Sequence, residues 1–169
     1  MPWLYNASHS RIGFIVSHFG LCFVHGHFRE ADVQLDINEA DPAESHVEVT
    51  IDASSLTTDL DRRDDAVKGE HYLETDLYPT ITFKSRRVES RGENRYALIG
   101  DFTLHGVTKE LVLDTTYAGQ ATDARGTTLR GLAARASIKK SEFGIKGNPL
   151  EPNIAEEIQL VIDVELHDR

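Results

Sequence analysis

The sequence is poor in the features that define several common protein classes. Its 169 residues include one cysteine, Cys22, so an internal disulfide is excluded. No apolar run approaches the ~20 residues that a membrane helix needs, so we expect no stable membrane insertion. The opening Met1-Pro2-Trp3 lacks the basic and apolar regions of a secretory signal, which predicts a cytoplasmic protein.

Positive charge is also scarce. Lysine and arginine number 18 against 28 aspartates and glutamates, and the formal net charge is -10 at pH 7. Because phosphate backbones are anionic, they repel an acidic chain that has no compensating basic stripe. We therefore predict no nucleic-acid partner and no tight docking on an anionic membrane surface.

Motifs for nucleophilic or phosphate chemistry are missing too. There is no Gly-x-Ser-x-Gly elbow, no Gly-x-Gly-x-x-Gly stretch and no phosphate loop. His9 and Ser10 are adjacent, but neighbours on a strand point to opposite faces and cannot form a local base–nucleophile couple. Acidic pairs such as Asp64-Asp65 are typical of solvated surface. We predict no catalytic residues, no cofactor and no metal.

What the sequence does contain is alternation of apolar and polar residues with period two, the pattern of a half-buried strand. In residues 47–52 three aliphatic residues alternate with three polar ones, and residues 96–104 and 158–166 repeat the pattern. Segments of this kind predict about eight strands. Their approximate bounds are 3–19, 22–38, 45–53, 79–89, 94–105, 107–118, 127–139 and 154–167.

Two segments depart from regular alternation. Within 22–38 the apolar residues that share one face have even numbers at first, as Val24 does, and odd numbers later, as Val33 does. One extra residue would cause this change, which predicts a β-bulge near 29–32. Residues 57–61 offer capping hydroxyls and early acids, so we expect a short helical segment at about 58–75. No linker or repeat divides the chain, which predicts a single domain over its whole length.

Eight amphipathic antiparallel strands can form a sandwich or close into a barrel. A closed eight-stranded barrel has room inside for side chains or for one small ligand. A strand rises ~3.3 Å per residue, so segments of ten or more residues would make the barrel tall and narrow. Such an apolar tube suits an elongated hydrocarbon, but the same residues could equally fill it. The pattern alone does not separate these outcomes.

Because alternate residues of a strand face the same side, odd or even position along each strand (parity) also identifies which residues would line such an interior. The inward candidates are Phe14, Val16, Val49, Ile51, Phe83, Leu98, Phe102, Leu111, Leu113, Leu160, Ile162 and Val164. Three residues near strand or helix ends are candidates for contacting a polar headgroup at a mouth: His18, Tyr72 and His105. Each methylene group removed from water contributes roughly 0.8 kcal/mol, so a long chain could bind with few hydrogen bonds.

His18, His25 and His27 are the densest group of potential metal ligands. His25 and His27 are two residues apart and share one strand face, as metal sites on barrels can use. No carboxylate with convincing ligand spacing accompanies them, which favours hydrogen-bonded histidines near a strand end. Two alternatives to a ligand carrier stay open: a metal protein or small enzyme that uses these histidines, and an interaction module with a filled barrel.

Several motifs are less generic than alternation. The hairpin 104–109 reads Leu-His-Gly-Val-Thr-Lys, and residues 78–83 read Tyr-Pro-Thr-Ile-Thr-Phe. The apolar stretch 9–28 begins with His-Ser, and a Phe-Gly pair lies near the C-terminus at 143–144. With these motifs in the expected order over nearly the whole chain, the sequence resembles the YceI-like family, the lipocalin-like polyisoprenoid-binding proteins.

The resemblance implies an all-β fold, a single eight-stranded antiparallel lipocalin-like barrel with the short helical segment near one end. It also implies non-catalytic binding, transport or storage of an elongated apolar or amphiphilic molecule, such as a polyisoprenoid, a quinone or a fatty-acid derivative. Many relatives are exported proteins. A homodimer is compatible with the sequence, which leaves the ligand's chain length and headgroup open.

The sequence departs from the family pattern at several positions. Asn6 and Ala7 stand where an acidic residue and a proline are usual. His71-Tyr72 replaces a pair of phenylalanines, and Lys140 replaces an arginine. Because the segment around Tyr72 is expected to border the pore, this change predicts a more polar lining there.

Overall fold

The computed structural model describes residues 3–168, which form one antiparallel sheet of eleven strands and one short α-helix. The strands are β1 (Leu4–Tyr5), β2 (Arg11–His18), β3 (Cys22–Phe28), β4 (Ala31–Asp36), β5 (His46–Asp52), β6 (Leu56–Thr57), β7 (Thr80–Gly92), β8 (Arg95–Leu104), β9 (Val107–Thr122), β10 (Thr128–Lys139) and β11 (Ile154–His167). The helix α1 spans Asp61–Val67. Short 3-10 helices occupy Ala7–His9, Pro42–Glu44, Ala53–Ser55 and Lys140–Phe143. Residues 3–168 hold no helix with the length and apolarity that a bilayer crossing would take.

The sheet curls into a barrel that closes through one bent stretch of chain. Its hydrogen-bonded order is β4-β5-β7-β8-β9-β10-β11-β2-β3-β6, with β1 beside β11. β3 pairs with β2, where Phe28 faces Ile12, and β4 pairs with β5, where Ala31 faces Ile51. Because β3 runs almost directly into β4, this bent segment connects the two ends of the sheet. The predicted fold class, an all-β antiparallel barrel, is confirmed.

The strand count exceeds the predicted eight for three local reasons. The 3-10 helix Ala7–His9 separates β1 from β2 within the predicted strand 3–19. The predicted strand 22–38 ends and restarts at residues 29–30, so a break stands where a bulge was expected. β6 is a two-residue strand beside β3, and a strand that short is too brief to show alternation.

The helical segment is also shorter than predicted. Regular α-helix covers Asp61–Val67, and the rest of 58–75 is built from turns. The expected capping by a threonine hydroxyl is not observed, because the N-cap residue is Leu60 and no side chain bonds to the helix start. The Thr58 hydroxyl instead donates a hydrogen bond to the Asp64 carboxylate, at 2.6 Å.

The hairpin between β8 and β9 turns at His105-Gly106, as predicted. Both residues have positive φ angles, 54° and 72°, as a two-residue turn between twisted strands requires. The Tyr78 ring packs on the His105 ring at 4.4 Å, and a Cβ atom at Gly106 would lie 2.7 Å from Tyr78. Glycine is therefore needed at this turn for both its backbone conformation and its small size.

Phe143 anchors the loop that follows β10 to the same corner of the barrel. Its side chain is 3% exposed and meets the Phe102 ring edge-on at 5.5 Å. The Phe143 backbone oxygen lies 3.0 Å from Nδ1 of His105. The hairpin, the Tyr-Pro segment and the Phe-Gly pair, which are distant in sequence, thus pack against one another.

Gly100 gives a test of how tightly β7 and β8 pack. A Cβ atom at this buried position would lie 2.3 Å from the Lys84 backbone oxygen and 2.8 Å from the Phe83 ring. We predict that Gly100→Ala destabilises the protein by roughly 1–3 kcal/mol, measured by urea unfolding, because backbone must move to admit the methyl group. Ser137→Ala, on the exposed outer face of β10, is the control and should change stability by less than about 0.5 kcal/mol. Equal stability of the two variants would contradict this packing.

Candidate functional site

The barrel encloses a cavity of about 600 Å³. Ligand pockets in proteins measure roughly 300–1,000 Å³, so this space is large enough for one elongated molecule. Inward aliphatic residues such as Leu160 and Ile162 are only half-buried, because the cavity leaves their surfaces accessible. Side chains therefore do not fill the interior, and the alternative of a filled barrel is wrong.

Strand register places the predicted inward residues around this space. Phe83 is the cross-strand neighbour of Val49 on one side and of Phe102 on the other, and Phe14 faces Leu160. All the candidate residues except His105 border the cavity: Phe14, Val16, His18, Val49, Ile51, Tyr72, Phe83, Leu98, Phe102, Leu111, Leu113, Leu160, Ile162 and Val164.

His105 lies outside the cavity lining. Its ring is held between the Phe143 backbone oxygen, the Tyr78 ring and the Glu74 carboxylate, which lies 3.7 Å from Nε2. The side chain is 13% exposed. The structure therefore places His105 at the hairpin corner, at the end of the barrel where β10 finishes, where it supports the turn and does not border the cavity as expected of a headgroup contact.

One end of the cavity is closed. Leu166 is the next inward residue of β11 after Val164, yet it is 1% exposed and does not border the cavity. Near it in the sheet, Arg130 of β10 faces Leu166 and lies 4.2 Å above the Trp3 ring. Arg130 also pairs with Glu39. These contacts seal the end of the barrel at which β10 begins and β11 finishes.

The other end opens beside α1 and the loop after β10. Most of the polar side chains that border the cavity are found there: His18, Thr58, Arg62, Arg63, Tyr72, Lys140 and Glu151. The backbone N–H of Gly147 donates to the His71 oxygen at 3.0 Å, which ties the loop to the helical segment. We call this end the mouth.

Parity reasoning missed the cavity residues that lie in α1 and the loops, since alternation has meaning only on strands. The missed residues of α1, of the segments on either side of it and of the loop after β10 are Leu60, Arg62, Arg63, Ala66, Val67, Leu73, Lys140, Ile145 and Glu151. On the strands it left out several apolar residues: Ile12, Val24, Phe28, Val33, Leu35, Val47, Ile81, Leu104, Leu132, Ala134, Ile138, Ile154 and Ile158. The change of parity between β3 and β4 was the signal that could have found those on the bent strand.

A buried hydrogen-bond network fixes α1 at the mouth. Arg63 donates from Nε to the Thr58 hydroxyl at 2.8 Å and from Nη2 to the Thr58 backbone oxygen at 2.7 Å. The Thr58 backbone N–H donates to the carboxylate of Asp64 at 2.7 Å. Asp64 is 6% exposed, so its carboxylate is satisfied mainly by these protein donors. The network thereby orients Arg63 beside the cavity.

The ionisation of Asp64 contributes to folding. Burial alone would raise the pKa of this carboxyl, but hydrogen bonds from the hydroxyl and backbone of Thr58, with one from Thr57, outweigh it and lower the pKa below its ordinary value. A carboxyl with a depressed pKa in the folded state stabilises the fold above its unfolded pKa of about 4. That stabilisation is lost as the pH falls through the folded-state pKa.

Asp64→Asn tests this contribution. We predict that the variant is less stable than the wild type at about pH 7 and that the difference shrinks as the pH falls below about 4, because the wild-type carboxylate then becomes protonated. Urea unfolding at a series of pH values measures both proteins. The exposed acids titrate in both proteins, so their effect cancels in the difference between the two free energies of unfolding. A difference that stays constant across the series would contradict the role of the Asp64 charge.

The structure does not bring the three clustered histidines together. His25 and His27 share the outer face of β3, whereas His18 borders the cavity on the inner side. Among residues 3–168 no group of three or more His, Cys, Asp or Glu side chains is placed to hold a metal ion. The geometry therefore does not support the alternative of a metal site built on these histidines.

Comparison with known proteins agrees with this architecture. The family model described as the YceI-like domain matches residues 3–166. A UPF0312 protein of Photorhabdus laumondii is 36% identical over 157 residues, which cover 93% of this chain and 80% of the relative. A UPF0312 protein of Pseudomonas savastanoi is 34% identical over 142 residues, which cover 84% of this chain and 74% of the relative.

Solved structures share the fold. BcnA of Burkholderia cenocepacia superposes with a TM-score of 0.86 at 21% identity, covering 96% of this chain and 99% of that one. The Campylobacter jejuni YCEI protein gives 0.78 at 26% identity, covering 90% of each chain. A polyisoprenoid binding domain from Saccharophagus degradans gives 0.70 at 14% identity, covering 97% of each. From the family match and these sequence relatives, the chain belongs to the YceI-like family.

Proposed function

We propose that this protein binds one elongated apolar or amphiphilic molecule in its barrel and carries or stores it without changing it chemically. The observation that carries the proposal is the apolar cavity of about 600 Å³, closed at one end and open at the other. Family membership supports it, as does the description of one structural neighbour as polyisoprenoid binding. A polyisoprenoid is the ligand class we favour, ahead of a quinone or a fatty-acid derivative.

The energetics of an apolar lining favour a long guest over a short one. Ten methylene groups removed from water would contribute roughly 8 kcal/mol. Association costs several kcal/mol in lost translational and conformational freedom, so a guest of this length would bind weakly. A chain of about twenty carbons has roughly twice the apolar gain, and it can bind tightly through the lining alone.

The composition of the lining supports a role without catalysis. Its two hydroxyl-bearing threonines are engaged, since Thr58 donates to Asp64 and Thr115 donates to the Leu113 backbone oxygen. No serine, cysteine or aspartate belongs to the lining in the part of the chain that the structure describes. The serine, cysteine and threonine nucleophiles that an adjacent base activates are thus absent from this part of the lining or engaged in other hydrogen bonds. Location in the cytoplasm stays a prediction.

Obstruction of the cavity tests the proposal. Ala134 of β10 is 8% exposed and borders the cavity, whereas its neighbour Ala133 faces outward. We predict that Ala134→Phe weakens binding of geranylgeraniol, a twenty-carbon isoprenoid alcohol, by about tenfold or more, which is at least 1.4 kcal/mol. The phenyl ring would occupy space that the guest needs. Equilibrium dialysis with radiolabelled alcohol measures the dissociation constant.

Ala133→Phe is the matched control, since it adds the same ring to the outer face and should leave the affinity unchanged. Thermal unfolding of both variants shows that each is folded. Equal affinity of Ala134→Phe and the wild type would place the binding site elsewhere, and absence of binding to the wild type would contradict the proposal for this ligand class.

A further inference from the structure

Charge is distributed unevenly between the cavity and the rest of the protein. The whole chain has a formal net charge of -10, yet the fully charged side chains that border the cavity are three cations and one acid. The cations are Arg62, Arg63 and Lys140, and the acid is Glu151. Within residues 3–168 none of these three cations forms an ion pair. The charged side chains of the lining are therefore mainly cationic, although the protein as a whole is acidic.

Lys140 is held close to the cavity opening. Its Nζ atom lies 3.6 Å from the position that a Cβ atom would take at Gly147, and the Tyr72 ring lies 3.9 Å from the same position. The side chain is half-buried. Glu156 is the nearby acid: the Ser141 backbone N–H donates to its carboxylate, and the charge of Lys140 contributes to lowering the pKa of that carboxyl. Lys140 and Glu156 nevertheless form no direct ion pair in the described residues, and the Lys140 ammonium lies near Tyr72 at the mouth.

Arg63 is oriented before any ligand arrives. Two of its nitrogens donate to Thr58, and Thr58 is fixed in turn by the buried carboxylate of Asp64. The guanidinium has five N–H donors, so donors remain for a further partner. A cation that is already positioned loses little entropy on binding, and arginine fits carboxylate and phosphate oxygens well. Arg62, on the preceding position of α1, is exposed.

The closed end of the barrel determines the direction in which an amphiphile can enter. Beyond Val164 the interior is sealed by Leu166, whereas the charged side chains lie at the mouth. A single-tailed molecule must therefore enter tail first and leave its head among the cations. Resting on the proposed function, we infer that the mouth selects ligands with an anionic headgroup, a carboxylate or a phosphate, through Arg62, Arg63 and Lys140.

Matched pairs of probes test this selectivity. Farnesyl phosphate and farnesol share one tail, as do oleate and oleyl alcohol, and isothermal titration at low ionic strength gives the dissociation constant of each. We expect the wild type to bind at least one anionic probe about tenfold more tightly than its alcohol, since only the anion can form ion pairs with these cations. The phosphate and carboxylate arms show which headgroup is preferred. Inorganic phosphate alone should not compete.

The double substitution of Arg62→Gln with Lys140→Gln should reduce the ratio of the affinity for the anionic probe to the affinity for its alcohol at least severalfold. Arg63 is kept because its contacts with Thr58 stabilise α1. Lys139→Gln is the matched control, since Lys139 is exposed on the outer face beside Lys140 and should have no effect.

The outcomes separate this inference from the proposed function. Equal affinity for an anion and its alcohol would overturn the headgroup inference while leaving an apolar carrier. A preference that survives the double substitution would overturn the assignment to these residues. Displacement of farnesyl phosphate by inorganic phosphate alone would indicate a free-phosphate site instead. If none of the probes binds, the proposed function fails as well.

Discussion

The curvature of one antiparallel sheet, closed where β3 bends into β4, keeps the inward apolar side chains apart across the barrel. Residues 29–30 interrupt pairing, so that β3 can remain beside β2 while β4 reaches β5. Without this bend the sheet would stay open and its apolar face would have to pack on another layer. With it, the face surrounds a cavity of about 600 Å³. An apolar guest in this cavity would gain dispersion contacts with the lining atoms.

The motifs that identify the family serve mainly to build this container. Tyr78, His105, Gly106 and Phe143 meet at one corner, where the hairpin turn, the return into β7 and the loop after β10 are packed together. None of these four borders the cavity. The features that would distinguish one ligand from another lie at the mouth. Tyr72 and Lys140 both border the cavity there.

Sequence alternation was sufficient to predict part of the strand lining, because on a strand parity alone decides which face a side chain occupies. Phe14, Val49 and Leu160 were predicted inward on that basis and border the cavity. Parity could not locate Arg62 or Lys140, since a helix and a loop have no period of two. His105 was a candidate headgroup contact because it lies near a strand end, whereas tertiary contacts with Phe143 and Tyr78 hold it outside the lining. Two-residue strands and the length of α1 depended on packing that no local pattern encodes.

The central claim is that the interior holds an elongated guest. Mass spectrometry of an organic extract from the purified, folded protein tests it most directly, with the heat-denatured and washed protein as the blank. The account predicts one class of long-chain molecule, enriched over the blank at close to one equivalent per chain. An extract that contains no such molecule, from protein shown to be folded and prepared without detergent, would contradict it.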